Sequence, residues 1–450
     1  MAVFLASDAV AQDALFAAER ALEGRLASLE ETVHRLEQGK PAPVPTDAPQ
    51  PTVFAGWDNG FILRSPDDQF LLRITGQIQT DYRYYLDTAD TTDIPTFLIR
   101  RARLGIEASV LRYFEFRLLP DFGQGNTRLQ DAYLNVHYWN EFQFETGKFK
   151  QPFSLEQLIQ DRFVPTVERS LIDQLVPARD VGVMIHGQGL VGNRLDYGVS
   201  VYNGLQNGDQ DTDSNKETAG RIVVRPFRDF GLPDFVEPLQ IGVAGTYGED
   251  DGVLQPTVVR TPANVPWFTF ARGVRPDGRR ARCSPELAYI YGPVMVLAQY
   301  YREWQVLRAP AGSGRRSADV DLNARGYYVL ATCLLTGEER TSVSQAIIPL
   351  SPFEPHAGHY GFGAWELLGR VSRLEFDSDD PAAIRLVDPA RTAERATEFL
   401  AGVNWYVNQF VRFQFSWEYA RFSNRVRLGP GPAGLLDRQN SFIVRTQIIF

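Results

Sequence analysis

The sequence predicts an all-β protein, a transmembrane antiparallel β-barrel of about sixteen strands preceded by a short N-terminal coiled-coil helix. Three observations carry this reading. From Gln69 to the C-terminus, apolar and polar residues alternate over segments of about ten residues, the period of a strand with one wet face and one apolar face. The links between segments alternate between short turns and long loops rich in Asp, Gly, Pro and Arg. Hydrophobic residues make up 44% of the chain and aromatics 12%, yet no run reaches 18 apolar residues. That excludes a membrane helix, and the 29 Phe and 18 Tyr supply the interfacial rings a barrel needs.

Residues 1–11 end in Ala9-Val10-Ala11, which resembles a signal-peptidase site and reads as the remnant of a signal peptide. Residues 12–38 carry a heptad seam. Leu15, Leu22, Leu29 and Leu36 occupy d, Leu26 and Val33 occupy a, and Gln12 and Glu19 interrupt a near the start. Residues 39–53 form a stiff linker with prolines at 41, 43, 45, 49 and 51. Residues 54–450 form the barrel domain. GFILRS and the SPDD turn lead into long strands near 69–84, 96–111, 113–122, 129–138, 141–149, 181–190, 194–203, 218–227, 238–248, 282–291, 294–307, 320–335, 362–376, 395–407, 409–423 and 439–450.

The faces of these strands separate cleanly. In Val411–Tyr419 one face is Val411, Phe413, Phe415, Trp417 and Tyr419, and the other is Arg412, Gln414, Ser416 and Glu418. A face that is almost wholly aromatic suits lipid with an interfacial girdle at one end. Ala132, Leu134, Val136 and Tyr138 likewise oppose Asp131, Tyr133, Asn135 and His137. Arg101 and Arg103 share a face with Glu107, and Arg221 and Arg225 oppose Ile222 and Val224. Arginine facing lipid at mid-bilayer costs about 2–4 kcal/mol, so these faces belong to the lumen. Residues 150–180 lack a strand pattern, and a loop that long in a compact domain has a task.

Several of these stretches together resemble the phosphate-selective porin family, porins O and P. They are RRARLGIEASV at 100–110, FEFRLLPDFG at 114–123, LQDAYLNV at 129–136, GKFKQPFSLEQL at 147–158, VPTVERSLID at 164–173 and RDVGVMIHG at 179–187. The second half of the chain is similar only in its strand pattern and terminal Phe450. The resemblance implies a homotrimer of sixteen-stranded barrels in a bacterial outer membrane. It also implies a loop folded into each barrel and passive uptake of small anions such as phosphate or polyphosphate. In some members an N-terminal coiled coil lies in the periplasm, a role the 12–38 heptad fits. Residue by residue, Arg100 and Arg101 match the family's arginine pair, and Asp121 matches its acidic residue near the constriction. Arg162 falls where phosphate-selective members keep a central lysine, and Arg169 matches an arginine just beyond. Asp161 stands where such members have a small hydroxyl residue. The last two departures favour a general anion preference over phosphate selectivity.

The expected lumen set is therefore Arg100, Arg101, Arg103, Asp121, Arg162, Arg169, Arg221 and Arg225, with Arg162 and Arg169 reaching from the loop to face Arg101 across the pore. The 150–180 segment has four basic and five acidic residues, so any anion preference comes from placement rather than loop charge. Competing readings are a general non-selective porin and a barrel anchor that tethers the membrane to the cell wall through the coiled coil. An enzyme is not expected, because no GxSxG occurs and the five histidines are scattered, with only a lone HAGH at 356–359. Cys283 and Cys333 show no metal spacing, so neither metal nor cofactor is expected, and the net charge of −9 argues against a nucleic-acid partner.

Overall fold

The computed structural model describes residues 24, 26, 53–86, 95–208, 210–311, 316–427 and 434–450. The signal-like segment, the rest of the 12–38 heptad and the proline linker lie outside these residues. Contacts divide the chain into a unit at Met1–Val53 and a unit at Phe54–Phe450.

Strict alternation leaves each strand of the second unit with one apolar and one polar face, and closing the sheet on itself satisfies every edge. Among the described residues the barrel has sixteen antiparallel strands. They are β1 (Phe70–Tyr85), β2 (Thr96–Val110), β3 (Phe114–Asp121), β4 (Arg128–Trp139), β5 (Phe142–Lys150), β6 (Arg179–Gly189), β7 (Leu195–Tyr202) and β8 (Glu217–Val224). The second half runs β9 (Gln240–Asp250), β10 (Arg275–Tyr291), β11 (Val294–Ala309), β12 (Ala318–Leu334), β13 (Ala364–Asp377), β14 (Arg395–Tyr406), β15 (Val411–Arg427) and β16 (Leu435–Ile449). β16 closes on β1 from Ser441↔Tyr85 to Ile449↔Gln77. Phe450 and Gly76 then exchange both main-chain hydrogen bonds. Closure is required in lipid, where an open edge finds no water to bond. Among the described residues no helix is long and apolar enough to cross a membrane.

Below Gln77, β1 continues past the end of β16. A hairpin of Phe54–Trp57 and Phe61–Arg64 takes over there, with Phe61↔Ile74 through Arg64↔Leu71. Asp58 accepts a hydrogen bond from Arg73 at 2.8 Å, and Trp57 meets Phe61 and Phe410 edge to face. On this side the connections 111–113, 140–141, 190–194, 292–293 and 407–410 are short. The expectation of uniformly short turns here needs correction, because 225–239 and 335–363 are long. Local contacts fold both back onto the barrel. Arg194 stacks over Phe230 at 4.1 Å, and Arg340 bonds Glu366 inside the barrel at 2.6 Å.

The lumen is two-sided. The loop joining β5 to β6 (residues 151–178) buries Phe153, Leu155, Ile159, Leu171 and Ile172 against inward-facing Met295, Leu297, Tyr328, Leu330 and Leu374. The loop between β9 and β10 adds Trp267 and Phe268 to the same core, with Phe268 stacked 4.0 Å from Phe376. Gly326 on β12 makes room for this docking. A Cβ there would stand 2.6 Å from Cγ2 of Ile172 and 2.4 Å from the carbonyl of Arg373. The wall from β10 to β15 is thus covered by loops, and the cavities lie toward β1–β6.

Because Ile172 is fully buried in this core, Ile172→Ala should cost about 2–5 kcal/mol of loop docking. The barrel itself should still close. Bilayer recordings should then show a noisier and larger conductance with an unchanged heat-modifiable gel shift. Quiet, parental conductance would show that this core does not hold the loop.

Candidate conduction site

The site is built on inward faces that meet the 151–178 loop. β1 turns Gln77, Gln79, Asp81 and Arg83 inward, all buried. β2 supplies three arginines through a bulge. Gln79 pairs with Arg101 and Thr80 with Ile99, which leaves Arg100 as an extra residue. Arg100 and Arg101 therefore both enter the lumen, although strict alternation would send one of them outward. Arg103 follows with ordinary spacing. Asp131 on β4, Arg179 on β6 and Arg445 on β16 complete the wall.

Two loop carboxylates sit among these cations. Asp161 is met by Nη1 of Arg169 at 2.8 Å, Nη2 of Arg101 at 3.3 Å, Nη2 of Arg179 at 3.6 Å, and also by Arg103. Glu168 receives Arg100 through Nε at 2.6 Å and Nη2 at 3.0 Å. Arg83 and Arg445 reach it at 2.8 and 2.9 Å. Asp81 bridges Arg83 at 2.9 Å and Arg445 at 2.8 Å. Asp121 accepts from Arg103 Nε at 2.7 Å and from the main-chain N–H groups of Ala102 and Gly123. Asp131 binds Arg179 at 2.6 Å and Arg117 at 3.2 Å. Lys150 donates to the carbonyl of Ile159 at 2.9 Å.

The loop backbone is fastened as firmly as its side chains. Arg370 donates to the carbonyl of Glu168 at 2.7 Å, and Asn404 and Gln414 donate to that of Pro165 at 2.9 and 2.8 Å. Two cavities flank the loop. One of about 1430 Å³ opens on the side of the long loops and is lined by Arg83, Arg100, Arg101 and Glu168. The other, about 290 Å³, reaches Gln77, Tyr133, Arg162 and His186. Arg103, Asp161 and Arg179 line both and mark the division between them.

Of the residues singled out in the sequence, Arg100, Arg101, Arg103 and Asp121 converge here. Arg169 and Arg162 do not face Arg101 across an open pore. Arg169 is buried as a staple of the loop, donating to the carbonyls of Glu156 at 2.9 Å and Ile159 at 3.0 Å besides its bond to Asp161. Arg162 lies along the smaller cavity, bonded to Gln160 at 3.0 Å and over the Phe163 ring at 4.8 Å. The side chain at the centre is Asp161. Arg221 bonds Glu286 at 2.8 Å, and Glu286 in turn accepts the N–H of Leu155, so this pair fixes the start of the loop. Arg225 pairs with Asp196 near the short-turn end, apart from the others. Asp81, Arg83 and Arg445 were missed, although their two-residue spacing within QIQTDYR and SFIVRTQIIF places them inward. Glu168 carried no local signal. Among the described residues, no group of three His, Cys, Asp or Glu could hold a metal ion.

Comparison with known proteins adds the lineage. The phosphate-selective porin O and P family profile matches residues 72–427. The chain is similar to porin O of Pseudomonas aeruginosa, 23% identical over 424 residues, covering 87% of this chain and 91% of that protein. Its fold is similar to the outer membrane channel DcaP of Acinetobacter baumannii, with a TM-score of 0.53 at 11% identity over 88% of this chain and all of that one. It is also similar to the trimer form of OmpT, an outer membrane protein of Vibrio cholerae, with a TM-score of 0.51 at 12% identity over 85% of this chain and all of that one. With the profile spanning most of the barrel that the strands close, this chain belongs to the phosphate-selective porin O and P family and is an outer-membrane channel.

Proposed function

We propose that the channel prefers small anions, phosphate and polyphosphate among them, and that it selects them between the two cavities. The observation that carries this is the cluster of guanidinium groups around Asp161. Arg83, Arg100, Arg101, Arg103, Arg169, Arg179, Arg445 and Lys150 outnumber the carboxylates Asp81, Asp121, Asp131, Asp161 and Glu168 set among them. Excess positive charge in a narrow passage with low-dielectric walls raises the local anion concentration. Asp161 and Glu168 keep that excess modest, and an ion must leave a site as well as enter it. This favours a channel that passes anions over one that traps phosphate.

Arg103 lines both cavities, so Arg103→Glu should lower the anion-to-cation permeability ratio, read from reversal potentials in asymmetric KCl. At ~1 kcal/mol for a unit charge 4 Å away in water, each charge unit changes the local anion concentration about fivefold and the cation concentration as much the other way, so the ratio moves on the order of 25-fold. Asp161→Asn should move it the other way and deepen block by added phosphate. Arg162→Glu should do less than Arg103→Glu, because Arg162 is turned onto Phe163 away from Asp161. Equal ratios in Arg103→Glu and the parent would refute anion selection at this point.

The barrel is further read as one subunit of a homotrimer in the outer membrane, with residues 12–38 forming a coiled coil in the periplasm within reach of the cell wall. Two features support this reading. The leucine spacing suits self-association, and the outer faces of β2–β4, β6 and β7 stay apolar to the long-loop end, where Phe97, Ile99, Phe122 and Val201 are exposed. Cross-linking should give trimers in the full chain and fewer in a chain lacking residues 1–51. Monomers alone in both would count against the assembly.

A further inference from the structure

The outer face of the barrel changes character from β11 to β15. Tyr300 lies opposite Tyr327, and Phe399 opposite Tyr419, as an outward aromatic row. One step farther toward the long loops the row becomes charged. Arg302 lies directly opposite Arg325, Arg325 opposite Glu375, and Glu375 opposite Arg395. On β15, Arg421 stands opposite Arg438. Like charges facing each other across a ladder are destabilising, so this row calls for anions.

For Arg325 and Arg373 the protein supplies one. Glu375 is shared between Arg325 and Arg373, the latter at 2.6 Å. Among the described residues, Arg302 and Arg421 have no carboxylate partner. Arg302 lies 5.4 Å from the Trp304 ring centroid, and its Nε is buried without a hydrogen-bond partner. Beside it an outward-facing cavity of about 870 Å³ lies between Tyr247, Arg279, Arg302 and Trp304, with Asp321, Asp379 and Asp380 also on its lining. Arg302 stands at the end nearer the aromatic row, and Asp321 is four residues beyond Arg325 along β12 toward the long loops.

We propose that this arginine row binds the phosphate groups of outer-leaflet lipid, the headgroup of a phosphorylated glycolipid. The position suits that ligand. Arginines set among girdle aromatics, as Arg302 is between Tyr300 and Trp304, lie at the edge of the headgroup layer, and the planar guanidinium takes phosphate through two bonds. The remaining exterior supports the assignment, because β2–β4, β6 and β7 carry apolar outward side chains to the same end.

The test is native mass spectrometry of the detergent-purified full chain incubated with diphosphoryl lipid A. The parent should retain the lipid, and fully dephosphorylated lipid A should be retained less. Each arginine near a charged lipid surface is worth about fivefold in binding, so the double variant Arg302→Gln with Arg421→Gln should lose retention on the order of tenfold or more. Arg302→Lys, which keeps charge without the fork, should fall between. Heat-modifiable migration checks that each variant folds. Single-channel conductance and selectivity should stay parental in all of them, which separates this site from the lumen. Equal retention of the dephosphorylated lipid, or parental retention by the double variant, would overturn the proposal. So would displacement by millimolar inorganic phosphate, which would mark a free-anion site, or dissociation of the assembly, which would mark a subunit contact.

Discussion

The lumen around the 151–178 loop depends on the neutralisation of arginines by two loop carboxylates. Arg101, Arg103, Arg169 and Arg179 can share one small volume only because Asp161 lies between them, and Arg83, Arg100 and Arg445 do so around Glu168. Removing one partner of a buried ion pair leaves an uncompensated charge and typically costs about 3–5 kcal/mol. The wall therefore fixes the loop, and the loop permits the wall. A purely basic lining of this density would not hold the same geometry.

The second wall explains why the loop runs where it does. On β11 and β12 most inward residues are apolar, and Leu374 and Phe376 extend that patch onto β13. The apolar residues of the loop cover this patch, while Asp161 and Glu168 point toward β1 and β2 and Glu156 meets Arg370 on β13. The loop thus behaves as an amphipathic layer, with its packing on one side and its chemistry on the other. Arg370, Asn404 and Gln414 hold its backbone from β13, β14 and β15, so both position and orientation are set.

Much of this was legible in the sequence. The two-residue period in VRFQFSWEY separates lumen from lipid correctly, since Arg412, Gln414 and Glu418 are buried and Phe415 and Trp417 are exposed. That signal is local, and so it could be read. Arg103 was legible for the same reason, whereas Asp121 came only from the family resemblance. Three things were not. The bulge at Arg100 is a register shift, which appears only when β1 and β2 are paired. The turning of Arg162 onto Phe163, and of Arg169 back into its own loop, depends on the loop's path over the apolar wall. That wall is assembled from strands more than a hundred residues further along the chain. The long 335–363 connection, with prolines at 349, 352 and 355, breaks the expected pattern of short turns on its side and is fastened by its own contacts with the barrel, among them Arg340 to Glu366.

The bulge at Arg100 has a consequence for how such a channel changes over generations. The outward series on β2 runs Phe97, Ile99, Ala102, Leu104, with two arginines inside between Ile99 and Ala102. Losing one codon there would restore regular alternation and remove one lumen charge. It would leave each bilayer-facing side chain of the strand on its own side. In most strands a single-residue deletion turns every later side chain to the wrong face. At a bulge such as this one the genome can alter what the channel conducts without altering what the membrane meets.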